Sequence, residues 1–194
     1  MKIRVLFVAL LMMVAANGAN GAGKNYDIET IEDHARVREF KYLSYEKLCD
    51  EVQDRAENEM LSTSQVAQEI AALPKGGIVS TCLLGDSWNL ANGPNWLYIV
   101  TDIAGKELFR GKGHSQKEPA PVYERVGSIS RRRSGSVIRT RERKVAPEKT
   151  PFGAPVFSST DAIRLQSAVP DSFRVYVVDI SNKKRCSYLL TKEK

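Results

Sequence analysis

Histidine and cysteine are scarce in this chain: its 194 residues include two of the first and three of the second. Cys49, Cys82 and Cys186 are 33 and 104 residues apart. A structural zinc site needs three or four ligands at short spacings, so no metal is expected, and nothing points to any other cofactor. No cysteine precedes Cys49, which excludes a lipid attached at a leader cysteine. The chain has no G-x-S-x-G elbow, H-E-x-x-H, P-loop or G-x-G-x-x-G, so the common hydrolase, zinc-protease and nucleotide signatures are missing. The acidic residues Glu46, Asp50 and Asp54 recur every fourth position, without the D-x-[DN]-x-[DN]-G spacing of a calcium loop. The catalytic alternative left open is a small secreted hydrolase or transferase with a dispersed site. It would set Cys82 or Cys49 beside His114 or His34, although no spacing favours that pairing.

Long apolar runs are also absent, except at the start. Lys2 and Arg4 precede Val5 to Ala16, an unbroken apolar stretch, and a small-residue segment follows from Asn17 to Gly23. The run is shorter than the roughly 20 residues a membrane-spanning helix needs. Its flanks are those of a cleaved export signal. Residues 1–22 are therefore expected to be a signal peptide. Residues 24–194 would then form a single exported domain, periplasmic or extracellular, with no transmembrane segment after cleavage. In an oxidising compartment one disulfide is reasonable. Cys82 and Cys186 both fall in strand-like runs and are the expected pair, with Cys49 a buried thiol on a helix.

Two stretches 77 positions apart echo one another. Shifted by that distance, Trp96 meets Phe173, Val100 meets Val177, Asp102 meets Asp179, and Lys106 meets Lys183. Each reads as strand, tight turn, strand. Asp opens the turn, and Gly105 or Asn182 supplies the residue best able to take a left-handed conformation. Turn chemistry thus accounts for both aspartates without a ligand. The likeness outside the hairpins is poor, so shared turn chemistry is preferred to internal duplication as the source of the echo.

Around these hairpins the chain predicts an α+β fold: an N-terminal amphipathic helix pair on an antiparallel β-sheet or β-sandwich, with a basic, partly disordered insert. Residues 24–73 are expected to be mainly helical. Tyr45, Leu48, Cys49, Val52, Ala56 and Met60 recur at helical spacing. Ser62 with Gln65 then forms a capping-box pattern before a second helix. Residues 76–111 are the first β part, with Ile78 to Leu84 as a buried strand and Gly85 to Asn95 as a loop carrying Trp88. Residues 113–155 are a Pro-, Arg- and Ser-rich insert, and residues 156–194 the second β part.

Charge is unevenly placed. Lys24 to Met60 has six basic and eleven acidic residues, whereas Arg110 to Lys149 has twelve basic and four acidic. Arg131, Arg132, Arg133, Arg139, Arg141, Arg143 and Lys144 are the candidate binding residues, a basic ridge for an anionic envelope component or an acidic protein. Aromatic stacking groups are sparse among them and an export signal precedes them, which weighs against nucleic acid. Trp88 is a second candidate contact. The chain therefore reads as an exported, non-catalytic binding or envelope-associated module.

Overall fold

The computed structural model describes residues 26–119, 122–132, 135–145, 148–149 and 155–193, with side-chain surroundings given for 26–119 and 156–193. The expected leader and Arg133 lie outside the described residues. The fold is mixed α+β, with two large antiparallel sheets and three helices among the described residues. The elements run β1 (Tyr26–Asp33), β2 (Val37–Leu43), α1 (Tyr45–Glu59), α2 (Thr63–Ala71), β3 (Ile78–Gly85) and the short α3 (Trp88–Ala91). There follow β4 (Trp96–Asp102), β5 (Glu107–Lys112), β6 (Val122–Arg132), β7 (Gly135–Val145), β8 (Glu148–Lys149), β9 (Pro155–Arg164), β10 (Ser172–Asp179) and β11 (Lys184–Lys192).

One sheet has the order β1-β11-β10-β4-β5 and the other β2-β3-β9-β8, while β6 and β7 pair with each other as a separate ribbon. Alternation along the strands sends one face of each large sheet into a shared core. Val79 and Leu83 of β3, with Ile163 of β9, meet Trp96, Tyr98 and Val100 of β4, Phe173, Val175 and Val177 of β10, and Tyr188 and Leu190 of β11. Most of these side chains are fully buried. At about 1.5–3 kcal/mol for each large apolar side chain removed from water, this core is the principal favourable term.

The outer face of the four-stranded sheet is covered by a second cluster. Leu48 and Val52 of α1 pack with Leu73, Ile78 and the half-buried Val66, Ile70 and Ala162. The Ser44 side chain caps α1 by accepting from the Lys47 amide at 3.2 Å. Ser62 and Gln65 form a reciprocal capping box on α2. These caps satisfy amides that the first turns leave without partners. Arg55 of α1 and Glu69 of α2 form an ion pair across the two helices.

The echoing hairpins meet at the centre of the larger sheet. Tyr98 pairs with Val177, the counterpart of Val100, and Val100 pairs with Val175, the counterpart of Tyr98. The 77-residue shift is therefore a local two-fold relation between adjacent antiparallel strands. The turns differ in detail. Gly105 is left-handed, with φ of 87°, as its position requires, but in the second hairpin the left-handed residue is Lys183, at φ of 59°, and not Asn182. Asn182 serves instead through its side chain, whose Oδ1 accepts from the Lys184 amide at 2.8 Å.

Two further expectations change. Residues 24–73 begin with two strands, β1 and β2, before the helices. In β1, Tyr26 and Ile28 alternate with polar residues, and the strand pairs along β11. Among its described residues the basic insert contains two paired strands of 11 residues each. Its register places Glu124 opposite Arg143 and Arg125 opposite Glu142, an arrangement of opposite charges that favours strand pairing.

The expected Cys82–Cys186 disulfide is not formed, and none of the three cysteines is bridged. Parity along β3 is the reason. Cys82 shares its face with Ser80 and Ile78, and Ile78 packs under the helices, whereas Cys186 is in the core between the sheets. The four-stranded sheet stands between the two sulfurs.

Gly105→Ala should destabilise the protein by about 1 kcal/mol, the cost of a left-handed L-residue. An added Cβ there meets nothing within 4 Å, so the effect is one of backbone alone. Asn182→Gly should not gain the stability expected of glycine at a left-handed position, whereas Lys183→Gly should. Urea unfolding of the three variants measures this, and a gain at Asn182 with none at Lys183 would refute the assignment.

Candidate functional site

The basic candidates that fall among the described residues all lie on the β6–β7 ribbon. Arg131 and Arg132 close β6, and Arg139, Arg141, Arg143 and Lys144 lie along β7. Arg139, Arg141 and Arg143 occupy alternate positions opposite Ser128, Val126 and Glu124. Alternate strand positions share a face, so the register sets these three on one side of the ribbon, together with Arg132. Arg131 and Lys144 fall on the other. Residues 122–145 contain eight basic and two acidic residues. Each of the two acids stands opposite an arginine, which leaves the cations nearer the tip without a cross-strand carboxylate.

The segment after β5 is held by an arrangement that the sequence did not announce. After β5 the chain leaves one sheet and crosses to β9 of the other. Asp161, on the inward face of β9, is 1 % exposed. Its carboxylate accepts from the His114 amide at 3.2 and 3.3 Å and from the Ala162 amide at 2.9 Å. It also pairs with His114 Nδ1 at 3.1 Å. Gly113 lies so near that a Cβ there would stand 2.2 Å from Asp161 Oδ2, and a Cβ on Gly93 would stand 2.2 Å from the His114 carbonyl oxygen. Gln116 closes the crossing. Its amide donates to Asn92 Oδ1 at 2.9 Å, and its carbonyl accepts from Asn92 Nδ2 at 3.1 Å. Its side chain also donates to the Thr160 carbonyl.

Thr81 and Tyr98 extend this polar node inward, sharing a hydroxyl–hydroxyl bond of 2.6 Å. Burial pushes the Tyr98 phenol well above its ordinary value, and the nearby Asp161 charge adds to the shift. Tyr98 is therefore a neutral hydrogen-bonding group at any ordinary pH. The inward parity of Ser159, Asp161 and Ile163 was the available sequence signal: a carboxylate on the core face of a strand must have donors around it.

An imidazole oriented by a buried carboxylate is one half of a nucleophilic dyad. Nδ1 faces Asp161 at 3.1 Å, and Nε2 is the remaining ring nitrogen of a side chain 66 % exposed. The other half is not assembled. Among the described residues, the polar side-chain partner of His114 is Asp161. Cys82 lies on the opposite face of the sheet from Asp161, and Cys49 packs in the helical cluster. His34 is on the exposed link between β1 and β2, where its amide donates to the Arg185 carbonyl at 3.0 Å. Cys186 donates to Asp33 Oδ1 at 3.2 Å and to the Ala35 carbonyl at 3.4 Å. Its thiol is pushed up first by burial and then by its bond to Asp33. That is the reverse of the activation a nucleophilic thiolate needs.

Trp88 opens α3 and is half-buried. The segment behind it braces the crossing: Ser159 donates to the Ala91 carbonyl at 2.6 Å, and Trp96 Nε1 donates to the Leu90 carbonyl at 2.9 Å. The Gly85–Asn95 loop is thus a packed element beside the crossing. Among the described residues no group of three or more His, Cys, Asp or Glu could hold a metal ion, and no helix is long and apolar enough to cross a membrane.

Asp161→Ala would leave buried donors without an acceptor and should cost about 3 kcal/mol. Met60→Ala, at a side chain 92 % exposed, should be nearly neutral. Equilibrium unfolding of both variants checks this, and equal stability of the two would mean that Asp161 does not hold the crossing.

In comparison with known proteins, no family model matches this chain, no curated protein matches it, and no solved structure matches it.

Proposed function

We propose that this is an exported, non-catalytic binding module that grips an anionic envelope component or an acidic protein with its β6–β7 arm. The observation that carries the reading is the pairing of β6 with β7 alone. A stretch with six more cations than carboxylates becomes a two-stranded ribbon outside both large sheets. Eleven strand residues span about 35 Å. A two-stranded ribbon is marginal by itself in water, and close like charges oppose its folding. An anionic surface would relieve the repulsion and supply the partner that the sandwich does not.

The rest of the chain fits a carrier for that arm. The sandwich gives it a rigid base, and the helix pair on the outer face closes the core on the other side. The leader expected over residues 1–22 would deliver the domain outside the cytoplasm. There acidic polysaccharides and anionic lipid headgroups present dense negative charge, and long-range attraction speeds encounter. The hydrolase or transferase alternative gains no support from the positions of Cys49, Cys82, His34 and His114.

Replacing Arg131, Arg132, Arg139 and Arg141 together by serine should lower the salt concentration at which the protein leaves a heparin column. The same number of replacements in the body, at Lys106, Lys112, Lys117 and Lys184, changes net charge equally and should have the smaller effect. Equal shifts in the two variants, or none in the first, would reject the arm as the binding element.

A further inference from the structure

The fold also holds a cleft of about 270 Å³. It lies between α1, the residues before β3 and the connection from β9 to β10. Its apolar walls are tyrosine rings already fixed in place. Tyr26 and Tyr42 meet edge to face at 5.0 Å, and both pack edge to face on the buried Phe173. Tyr42 donates its hydroxyl to the Gly76 carbonyl at 2.9 Å. Tyr45 accepts from Lys75 Nζ at 2.7 Å, with the ammonium 4.3 Å from the ring centre. Rings held this way lose little freedom when something settles on them.

The polar groups of the cleft balance. Lys75 and Lys192 supply two cations, and Glu46 and Asp171 two carboxylates. Lys192 and Glu46 neutralise one another at 2.7 Å. Among the described residues Lys75 has no carboxylate partner, the Asp171 carboxylate accepts no hydrogen bond, and the half-buried Tyr26 hydroxyl has no hydrogen-bond partner. The cleft therefore offers donors at Lys75 and Tyr26, a charged acceptor at Asp171 that feels the Lys192 charge but has its hydrogen-bonding capacity unused, and aromatic surface, at no net charge.

From these groups we infer that the cleft binds a neutral saccharide of one or two rings. A sugar ring has an apolar face of C–H groups to lie on a phenol ring. It also has an edge of hydroxyls that both donate and accept. Asp171 can accept from a pair of adjacent hydroxyls, and Lys75 and Tyr26 can donate to others, with the charged partners giving the stronger bonds. A free anion would gain little from a site whose charges cancel, and an apolar ligand would leave all three polar groups without partners. The volume is near the lower bound for small-molecule sites and suits one ring well, with a second at the open rim. This inference does not rest on the basic arm: the groups it uses belong to β1, α1, β11 and the links before β3 and β10.

The test is calorimetric titration of the full chain with cellobiose, maltose and N,N′-diacetylchitobiose, alongside glycylglycine and inorganic phosphate. At least one disaccharide should bind saturably, and more tightly than the dipeptide or phosphate. Asp171→Ala and Lys75→Ala change exposed side chains and should each weaken it about tenfold. Tyr26→Phe keeps the packing ring, loses the hydroxyl and should weaken binding by a smaller factor. The serine variant of the arm should bind sugar as the parent does. The inference is overturned if none of the three sugars binds, if glycylglycine or phosphate binds more tightly, or if both Asp171→Ala and Lys75→Ala bind unchanged.

Discussion

A carboxylate set into the core of a β-sandwich constrains more of this molecule than any apolar contact does. Removing a charge from water costs several kcal/mol even after relaxation, so Asp161 can remain where it is only if donors converge on it. They come from its own strand, at Ala162, and from the chain crossing between the sheets, at His114. That requirement propagates. Gly113 and Gly93 have no room for a Cβ, Asn92 must be able to hold Gln116 by both edges of its amide, and α3 must sit where Ser159 can reach it. The crossing from β5 to β9 is fixed by this set of contacts, so its course depends on one buried residue of the second sheet.

The charge asymmetry seen in the sequence is resolved partly within the body. Glu32 of β1 is held by Arg185 at 2.5 Å, and Glu46 of α1 by Lys192 at 2.7 Å, both cations on β11. The bond to each basic partner pulls the carboxyl below its ordinary range, the leading cause in both cases. These acids of the N-terminal segment are thus answered by the last strand. Part of the N-terminal acidity is therefore balanced by β11 rather than by the basic middle of the chain. Exposed pairs like these contribute little to stability, but they do set which negative charges are already compensated.

The helices were legible because their signals are local. Apolar spacing in Tyr45 to Ala56 and the Ser62–Gln65 box act over a few residues, whereas Met60, expected on the same face, caps the helix in a left-handed conformation and is exposed. The hairpins were legible for the same reason, down to Gly105. What could not be read were choices made across the fold. Whether Asn182 or Lys183 turns left-handed depends on where Asp179 is held, and Asp179 Oδ1 is bound by Asn95 from another element as well as by Ser181. The status of Cys82 depends on which face of β3 meets the helices, a matter of one residue of register. The segment before α1 has strand alternation that a charged composition obscures, and only pairing with β11 and β3 makes β1 and β2 strands. The candidate arginines were plain as a composition, whereas their division between two ribbon faces required the register of β6 against β7.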